Sequence, residues 1–249
     1  MSKSKSPIES PVEALIDATM MLSKRVDAMQ FGDPVTHVYN PLSYAADLHH
    51  QYLRMCQPAS CKIVLLGMNP GPWGMAQTGV PFGEIAAVRD FLKIDGVVAS
   101  PPDPHPKRPV VGMACEKSEV SGRRLWGLFQ KKFGTASSFF KHHFVLNYCP
   151  LVFMESSARN RTPDKLPADQ RKPLDEACDQ HLAEYLRILQ PKHLVGIGVY
   201  AEKCFQRVAP TVCDDASIHR VLHPSPASPA ANTDWAGKVT ATMIDAGLW

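Results

Sequence analysis

Apolar residues along the chain occur in two patterns, continuous short runs and helical spacing, and segments of the two kinds alternate. Short continuous apolar runs are typical of buried strands, and they occur at 62–66, 144–146, 193–197 and 218–222, with a weaker run at 110–113. The segments between them have apolar residues at helical spacing. Strands that alternate with helices predict an α/β fold, here a three-layer α/β/α sandwich around a central, mostly parallel four-stranded sheet.

Capping residues mark the ends of several predicted helices. Ser10 and Glu13 are spaced as a capping box at the start of the first helix. Asn232 is predicted to cap the last helix, and Gly247 to end it. Helical periodicity predicts helices at 10–29, 40–56, 84–92, 121–133, 168–189, 200–208 and 232–246.

Length and composition indicate a globular protein with free thiols. The 249 residues can bury a substantial core, and we expect a disordered tail at 1–9 followed by a single domain at 10–249. The seven cysteines form no C-x-x-C pair, which argues for a reducing compartment. A net charge of +3 permits a polyanionic partner without requiring one. No apolar stretch approaches the roughly 18 residues of a membrane span, so we expect no membrane partner.

Polar side chains follow three of the four clearest apolar runs. Asn69 follows the first run, Asn147 the second and His223 the fourth. Ligands of open parallel sheets bind beyond the carboxyl ends of the strands, so together these residues predict one pocket with two amides and an imidazole. Each alone is more often ordinary turn chemistry, and His223 alone is also consistent with a buried core imidazole.

Several other kinds of site are disfavoured. The adjacent histidine pairs His49-His50 and His142-His143 point apart on a helix or strand, so we expect no metal site. The signatures of a zinc deaminase and of a nucleotide P-loop are both missing from the sequence. Ser225 lacks the setting of a nucleophile elbow, and Cys149 reads as a core thiol.

Six motifs together resemble the single-strand-selective monofunctional uracil-DNA glycosylases, over residues 39–247. The resemblance implies the uracil-glycosylase fold and hydrolysis of the N-glycosidic bond of uracil and 5-substituted uracils, such as 5-hydroxymethyluracil, in single- and double-stranded DNA. It implies no cofactor and an abasic site as the product. The motifs are G-M-N-P-G-P-W-G-M-A-Q-T-G-V-P-F-G at 67–83, H-P-K-R-P-V at 105–110, S-E-V-S-G-R at 118–123, N-Y-C-P-L at 147–151, R-N-R-T-P at 159–163 and H-P-S-P at 223–226.

The resemblance also implies catalytic and base-binding roles. Asn69 matches the residue that positions the attacking water, and His223 the residue that stabilises charge on the departing base. Because charge separates before the water bonds, we expect neutral hydrogen-bonding groups and no ionisable carboxylate to act here. Asn147 matches the residue that tells uracil from cytosine, and Phe82 the aromatic on which the base stacks.

At the edge of the base that carries 5-substituents, the resemblance implies that backbone atoms of Met68 and Gly71 line the pocket. A tyrosine stands at the position of Gly71 in the narrower uracil glycosylases. Glycine is therefore expected to leave room for a substituent.

Two loops are expected to bind DNA, and the wedge that fills the gap left by the base departs from the family pattern. Members from vertebrates carry Arg at the position of Ala227, so the shorter side chain is expected to weaken duplex opening. Lys107-Arg108 and Arg123-Arg124 are further candidate phosphate contacts, with a solvated surface as the alternative. The two loops comprise Ser157, Arg159, Asn160 and Arg161, and Ser225, Pro226, Ala227, Ser228 and Pro229.

Two other functions stay open on the sequence. One is a catalytically silent module that binds damaged or single-stranded nucleic acid, and the other is a related glycosylase that prefers hypoxanthine or xanthine. No lysine occurs in the three strand-end motifs, so lyase chemistry through a Schiff base is not expected. We expect an intracellular monomer, in a bacterial cytoplasm or, in a eukaryote, the nucleus.

Overall fold

The computed structural model describes residues 10–249, so the predicted tail at 1–9 lies outside the described residues. Its strands are β1 (His37–Tyr39), β2 (Ile63–Gly67), β3 (His143–Asn147), β4 (Val152–Met154), β5 (Asn160–Arg161), β6 (His193–Ile197) and β7 (Ser217–Val221). Its α-helices are α1 (Pro11–Asp27), α2 (Pro41–Tyr44), α3 (Ala46–Arg54), α4 (Met75–Thr78), α5 (Val120–Phe133), α6 (Ala136–Phe140), α7 (Ala168–Leu189), α8 (Val199–Val208) and α9 (Trp235–Asp245).

The central sheet has four parallel strands in the order β3-β2-β6-β7, with helices around it. All four clearest predicted strands are present, and the α/β fold class is confirmed. The β2 strand is buried along its whole length, as expected for a central parallel strand covered on both faces. Its last residue, Gly67, pairs in register with Asn147 at the end of β3.

A second, three-stranded antiparallel sheet in the order β1-β4-β5 was not predicted. Its strands are two or three residues long, too short for a period of two to stand out in the sequence. This sheet matters for the site because β5 begins at Asn160, and Asn160 and Thr162 line the main cavity.

Two predicted helix caps are wrong. The first helix does begin after Ser10, but the Ser10 side chain makes no capping hydrogen bond. The last helix is capped by Asp234, whose carboxylate accepts from the Gly237 N–H, because Asn232 is used elsewhere: its amide donates to the Pro226 carbonyl. Gly247 adopts φ 68° after the helix, as predicted for a helix stop.

Three element boundaries also differ from prediction. The predicted helix at 40–56 is interrupted at Ala45, where φ is −116°. Within the predicted helix at 84–92, residues Ala87–Leu92 form a π-helix. The weak run at 110–113 is no strand, because the Gln77 side chain binds the Val111 N–H and the Pro109 carbonyl, and a 3₁₀ turn follows.

The largest core side chains fix α5 against α3 and α6. The Trp126 ring of α5 is almost fully buried and packs edge to face against Tyr52 of α3 and Phe139 of α6. Burial of such aromatic rings dominates core energetics. All seven cysteines are free, and Cys149 is fully buried, as predicted for a core thiol. None of the helices among the described residues has the length and apolar character that a membrane crossing requires.

Candidate active site

A cavity of about 350 Å3 opens at the carboxyl end of the parallel sheet. Asn69 follows β2 by two residues, Asn147 ends β3, and His223 follows β7 by two residues. The structure therefore brings the three predicted side chains to one cavity. The lining residues are Met68, Asn69, Pro70, Gly71, Met75, Phe82, Glu119, Ser121, Asn147, Asn160, Thr162, His223 and Ser225.

The Asn69 amide is oriented by backbone carbonyls. Its Nδ2 donates to the Leu151 carbonyl at 3.2 Å and, more weakly, to the Pro70 carbonyl at 3.4 Å. Both acceptors fix the amide nitrogen on the protein side. The Oδ1 atom is therefore the end of the amide that can accept a hydrogen bond from a bound molecule.

The His223 imidazole is held in one tautomer. Its Nδ1 accepts from the Ser225 N–H at 3.1 Å, so the ring hydrogen of the neutral form lies on Nε2. Burial lowers the pKa of His223 to about 4, which keeps the ring neutral at pH 7. The site thus contains a neutral imidazole whose Nε2–H is a hydrogen-bond donor.

Asn147 carries a buried oxygen with no hydrogen-bond partner among residues 10–249. Its Nδ2 lies 3.2 Å from Met75 Sδ, a weak acceptor. A buried amide oxygen without a partner is unusual in native proteins and calls for a donor from a ligand or water. A Cβ on Gly67 would lie 2.5 Å from this oxygen, so glycine at position 67 allows the Asn147 side chain to reach the cavity.

Phe82 has φ 53°, a left-handed conformation that is rare for an aromatic residue. A Cβ on Gly122 of α5 would collide with the Phe82 carbonyl oxygen, so the helix backbone packs directly against this strained residue. The Phe82 ring lies 6.2 Å, centroid to centroid, from the His223 ring. Backbone strain of this kind persists where the surroundings over-determine it, commonly at binding sites.

The space beside Gly71 is occupied by the Glu119 carboxyl group. A Cβ on Gly71 would collide with Glu119 Oε1, and a Cβ on Gly74 with Oε2. Burial raises the pKa of Glu119 to about 7, and the neighbouring Glu84 carboxylate adds to the shift. The sequence analysis gave this carboxyl group no role, and it occupies part of the space beside Gly71.

The first predicted DNA loop is divided by the structure. Asn160 lines the cavity, whereas Ser157 and Arg159 are exposed beside it and do not line it. The Ser157 hydroxyl accepts from the Arg159 N–H at 3.3 Å, which leaves the Arg159 guanidinium on the surface. The Arg161 guanidinium forms an ion pair with Glu155 at 2.9 Å and donates to the Lys165 carbonyl, and these contacts hold the loop; DNA contact by Arg161 stays a prediction.

The second predicted loop borders the cavity at Ser225. The Ser225 hydroxyl accepts from the Ala227 N–H at 3.2 Å, which turns the chain outward. Pro226, Ala227 and Pro229 are then exposed and Ser228 is half-buried, and none of these four lines the cavity.

Two arginines proposed as phosphate contacts have partners within the protein. Arg124 donates to the Pro224 carbonyl at 2.8 Å and to Asn232 Oδ1 at 3.1 Å, so it supports the second loop. The Arg108 guanidinium lies over the Trp73 ring, 5.1 Å from its centroid. Phosphate contact by Arg124 stays a prediction, and its guanidinium already holds the second loop through these two hydrogen bonds.

Five cavity residues were missed by the sequence analysis: Pro70, Met75, Glu119, Ser121 and Thr162. All five lie inside motifs that carry the family resemblance, so the signal for them was present but no role was attached to it. No cluster of three His, Cys, Asp or Glu side chains within residues 10–249 is arranged to hold a metal ion.

Known proteins similar to this chain agree on one family. A family model for the uracil DNA glycosylase superfamily matches residues 53–241. The chain is 44% identical over 240 residues to the single-strand selective monofunctional uracil-DNA glycosylase of Rattus norvegicus, with 96% of this chain and 86% of the relative covered. The Bos taurus protein of the same name is 43% identical, with 96% and 88% covered.

A solved structure supports the fold. The SMUG2 protein of Pedobacter heparinus superimposes with a TM-score of 0.64, covering 94% of this chain and 98% of that chain at 16% identity. At that identity the likeness concerns the fold alone.

Proposed function

This chain belongs to the uracil DNA glycosylase superfamily, and from that premise we propose that it is a monofunctional uracil-DNA glycosylase that favours single strands and leaves an abasic site. The observation that carries the proposal is the meeting of Asn69, Asn147 and a neutral His223 around one cavity at the sheet edge. The relatives named above support the same activity.

In the proposed reaction, the bond between sugar and uracil lengthens first, so that the sugar becomes oxocarbenium-like and the base becomes an anion. A water held by Asn69 Oδ1 below the sugar then bonds to the anomeric carbon. The amide nitrogen is fixed to the Leu151 and Pro70 carbonyls, which supports this orientation. Positioning of this kind can contribute several kcal/mol without a strong base.

His223 stabilises the leaving group as a neutral donor. The Nε2–H is directed to the base oxygen on which negative charge develops, while Nδ1 keeps its bond to the Ser225 N–H. A preorganised donor aimed at developing charge is typically worth about 3–4 kcal/mol. A neutral ring also avoids the desolvation of a buried imidazolium before substrate binds.

Asn147 selects the base by the direction of its hydrogen bonds. Its unpartnered Oδ1 accepts from uracil N3–H, and its Nδ2, released from Met75 Sδ, donates to O4. Cytosine presents the reverse order and would leave buried polar groups unpaired, at about 1–3 kcal/mol each. Phe82 provides the surface on which the extruded base stacks.

The finer features of the proposed activity concern substrates. We infer that 5-substituted uracils such as 5-hydroxymethyluracil are accepted, at the wall formed by Met68, Gly71 and the Glu119 carboxyl. Duplex DNA is a weaker substrate, because Ala227 offers a short wedge side chain. No lysine lines the cavity formed by the described residues, which supports hydrolysis without strand cleavage. We expect a monomer that acts inside the cell, where DNA is found.

A direct assay of base release tests the proposal. Single-stranded oligonucleotides that carry uracil, cytosine or hypoxanthine are incubated with enzyme, and abasic sites are then cleaved with hot alkali. We expect release of uracil, with His223→Ala slower by about 100- to 1000-fold and Asn69→Ala by at least about tenfold. His193→Ala, at the amino end of β6 and therefore at the end of the strands opposite the cavity, is the matched control.

The possible results separate the alternatives. Tight binding of the uracil oligonucleotide without release would identify a silent binding module. Faster release of hypoxanthine than of uracil would identify a glycosylase with a different base preference. An Asn69→Ala rate within tenfold of the wild type would mean that Asn69 does not position the water.

A further inference from the structure

Glu119 projects a carboxyl group into the cavity from the end of the loop that precedes α5. Its backbone is fixed, because its carbonyl accepts the Arg123 N–H in the first turn of the helix. Its two carboxyl oxygens lie against the backbone at Gly71 and Gly74, where any larger residue would collide with them. These two glycines, three residues apart, form a cradle for the carboxyl group.

No group among the described residues donates a hydrogen bond to this carboxyl. The neighbouring Glu84 is different, since its carboxylate accepts from the Ser118 hydroxyl and from the Ala87 N–H. A carboxyl that is shielded from water gains stability from a donor, and the cavity is the side on which a donor can approach. Glu119 is thus an acceptor that faces the ligand.

The order of groups around the cavity locates Glu119 relative to the base. Around the uracil ring, O2, N3, O4 and C5 follow one another from the sugar-bearing nitrogen. With His223 at O2 and Asn147 at N3 and O4, the next atom is C5. Asn147 touches Met75, Gly74 precedes Met75 in the chain, and Glu119 lies on Gly74, so Glu119 lies on the part of the wall next to Asn147.

We propose that Glu119 is a specificity-determining residue whose carboxyl group faces C5 of the bound base and accepts a hydrogen bond from the hydroxyl of a 5-hydroxymethyl substituent. This inference rests on the glycosylase activity proposed above and deepens it. The methyl group of thymine would press against the same oxygens and offer no hydrogen bond. Uracil itself leaves space for a water that can serve as the donor.

The carboxyl acts more strongly as an acceptor when it is ionised. Burial holds the pKa of Glu119 at about 7, so its charge changes across the neutral range. The titratable groups around it are Glu84, which raises this pKa, and His223, whose own pKa of about 4 keeps it neutral there. Lys117 lies over Trp73, and Arg123 binds the Ser118 hydroxyl. Preference for 5-hydroxymethyluracil over uracil is therefore expected to rise with pH through about 7.

The test compares kcat/KM for 5-hydroxymethyluracil, uracil and thymine in single-stranded oligonucleotides, with each variant's uracil value as its internal reference. Glu119→Gln is expected to lower the ratio of 5-hydroxymethyluracil to uracil by about tenfold, because a site built around a hydroxyl loses discrimination with its partner. Glu119→Ala is expected to raise thymine release relative to uracil, since the cavity gains room and loses the acceptor. Glu116→Gln, exposed on the same loop, is the matched control.

A second readout needs no substitution. In the wild type the ratio should rise between pH 6 and pH 8, and in Glu119→Gln it should be flat. Equal losses on uracil and 5-hydroxymethyluracil, with an unchanged ratio and a flat wild-type pH profile, would overturn the proposal and indicate a general catalytic or structural role. If the wild type releases no base at all, the glycosylase proposal fails instead, so the two failures are distinguishable.

Discussion

Individual glycines determine which side chains reach the cavity. Gly67 admits Asn147, Gly122 admits the backbone of Phe82, and Gly71 and Gly74 admit the Glu119 carboxyl. In each case a single Cβ would displace a residue that lines the cavity. The positions of the side chains that line the cavity therefore depend on these glycines. Substitution of one of them by alanine would change the geometry of the site.

At this scale the raised pKa of Glu119 leads to a prediction about stability. The folded state holds the proton up to about pH 7, whereas the unfolded chain releases it near pH 4.5, so stability falls as pH rises between these values. The full shift corresponds to about 3 kcal/mol, and the partial exposure of the side chain reduces the expected effect to about 1–2 kcal/mol.

Thermal unfolding at pH 5 and pH 8 measures this effect. Glu119→Gln removes the titration, so the melting temperature of the wild type should fall between the two pH values by about 2–6 °C more than that of the variant. Glu116→Gln should follow the wild type. A parallel pH response in wild type and Glu119→Gln would show that the carboxyl is solvated in the folded protein.

The sequence was informative about residues that follow strands and uninformative about residues that meet across loops. Asn69, Asn147 and His223 were found because parallel strands end at a common edge. Glu119 lies 48 positions after Gly71, on a loop whose course no periodicity describes. Its placement depends on the packing of α5 against the loop at 71–84, which is a tertiary property.

At the scale of elements, α5 supports the cavity wall that carries Phe82. It begins directly after Glu119, it buries Trp126 in the core, and its Gly122 touches the Phe82 carbonyl. A second glycine of the same helix, Gly127, is exposed, and a Cβ there would meet nothing within 4 Å. The two positions form a matched pair for the same substitution.

We expect opposite outcomes for this pair. Gly127→Ala should stabilise the protein by up to about 1 kcal/mol, because alanine is the better helix former and finds open space. Gly122→Ala should destabilise it by about 1–3 kcal/mol and slow uracil release, because the helix must move away from Phe82. Urea unfolding and the alkali assay measure the two effects. Unchanged uracil release in a folded Gly122→Ala variant would contradict the support role.

The length of each strand decided whether it could be predicted from the sequence. The four strands of the main sheet have continuous apolar runs and were predicted, whereas β1, β4 and β5 are too short to carry a pattern. The run at 110–113 looked like a strand but is bound by the Gln77 side chain. Here side-chain hydrogen bonds satisfy the backbone groups in place of the hydrogen bonds to a neighbouring strand. The pattern of hydrophobic residues does not predict such bonds.

At the scale of the whole molecule, the charge is too small to bind DNA by itself. The net charge is +3, so affinity for a strand depends on where a few cations lie. Arg161 and Arg124 are bound within the protein, whereas the Arg159 side chain is exposed beside the cavity. We therefore expect Arg159 to carry more of the phosphate binding than the other two.

Salt dependence of binding tests this expectation. In an Asn69→Ala background, affinity for a single-stranded uracil oligonucleotide is measured by fluorescence anisotropy between 50 and 200 mM salt. Loss of one phosphate contact in Arg159→Ala should reduce the slope of log affinity against log salt by about 0.7. Lys192→Ala, directly before β6 at the amino end of the strands, is the control and should keep the wild-type slope. An unchanged slope in Arg159→Ala would exclude this arginine as a phosphate contact.

The Ser225 peptide unit donates a hydrogen bond to His223 Nδ1, and the same residue begins the second predicted DNA loop. The chain leaves the cavity immediately afterwards and becomes the exposed segment that we propose to contact DNA. Rotation of that peptide would remove the partner that decides which ring nitrogen holds the hydrogen. If this loop contacts DNA as we propose, strand binding and the tautomer of the His223 ring are coupled through the Ser225 peptide, and a loop moved out of position would leave Nδ1 without its donor.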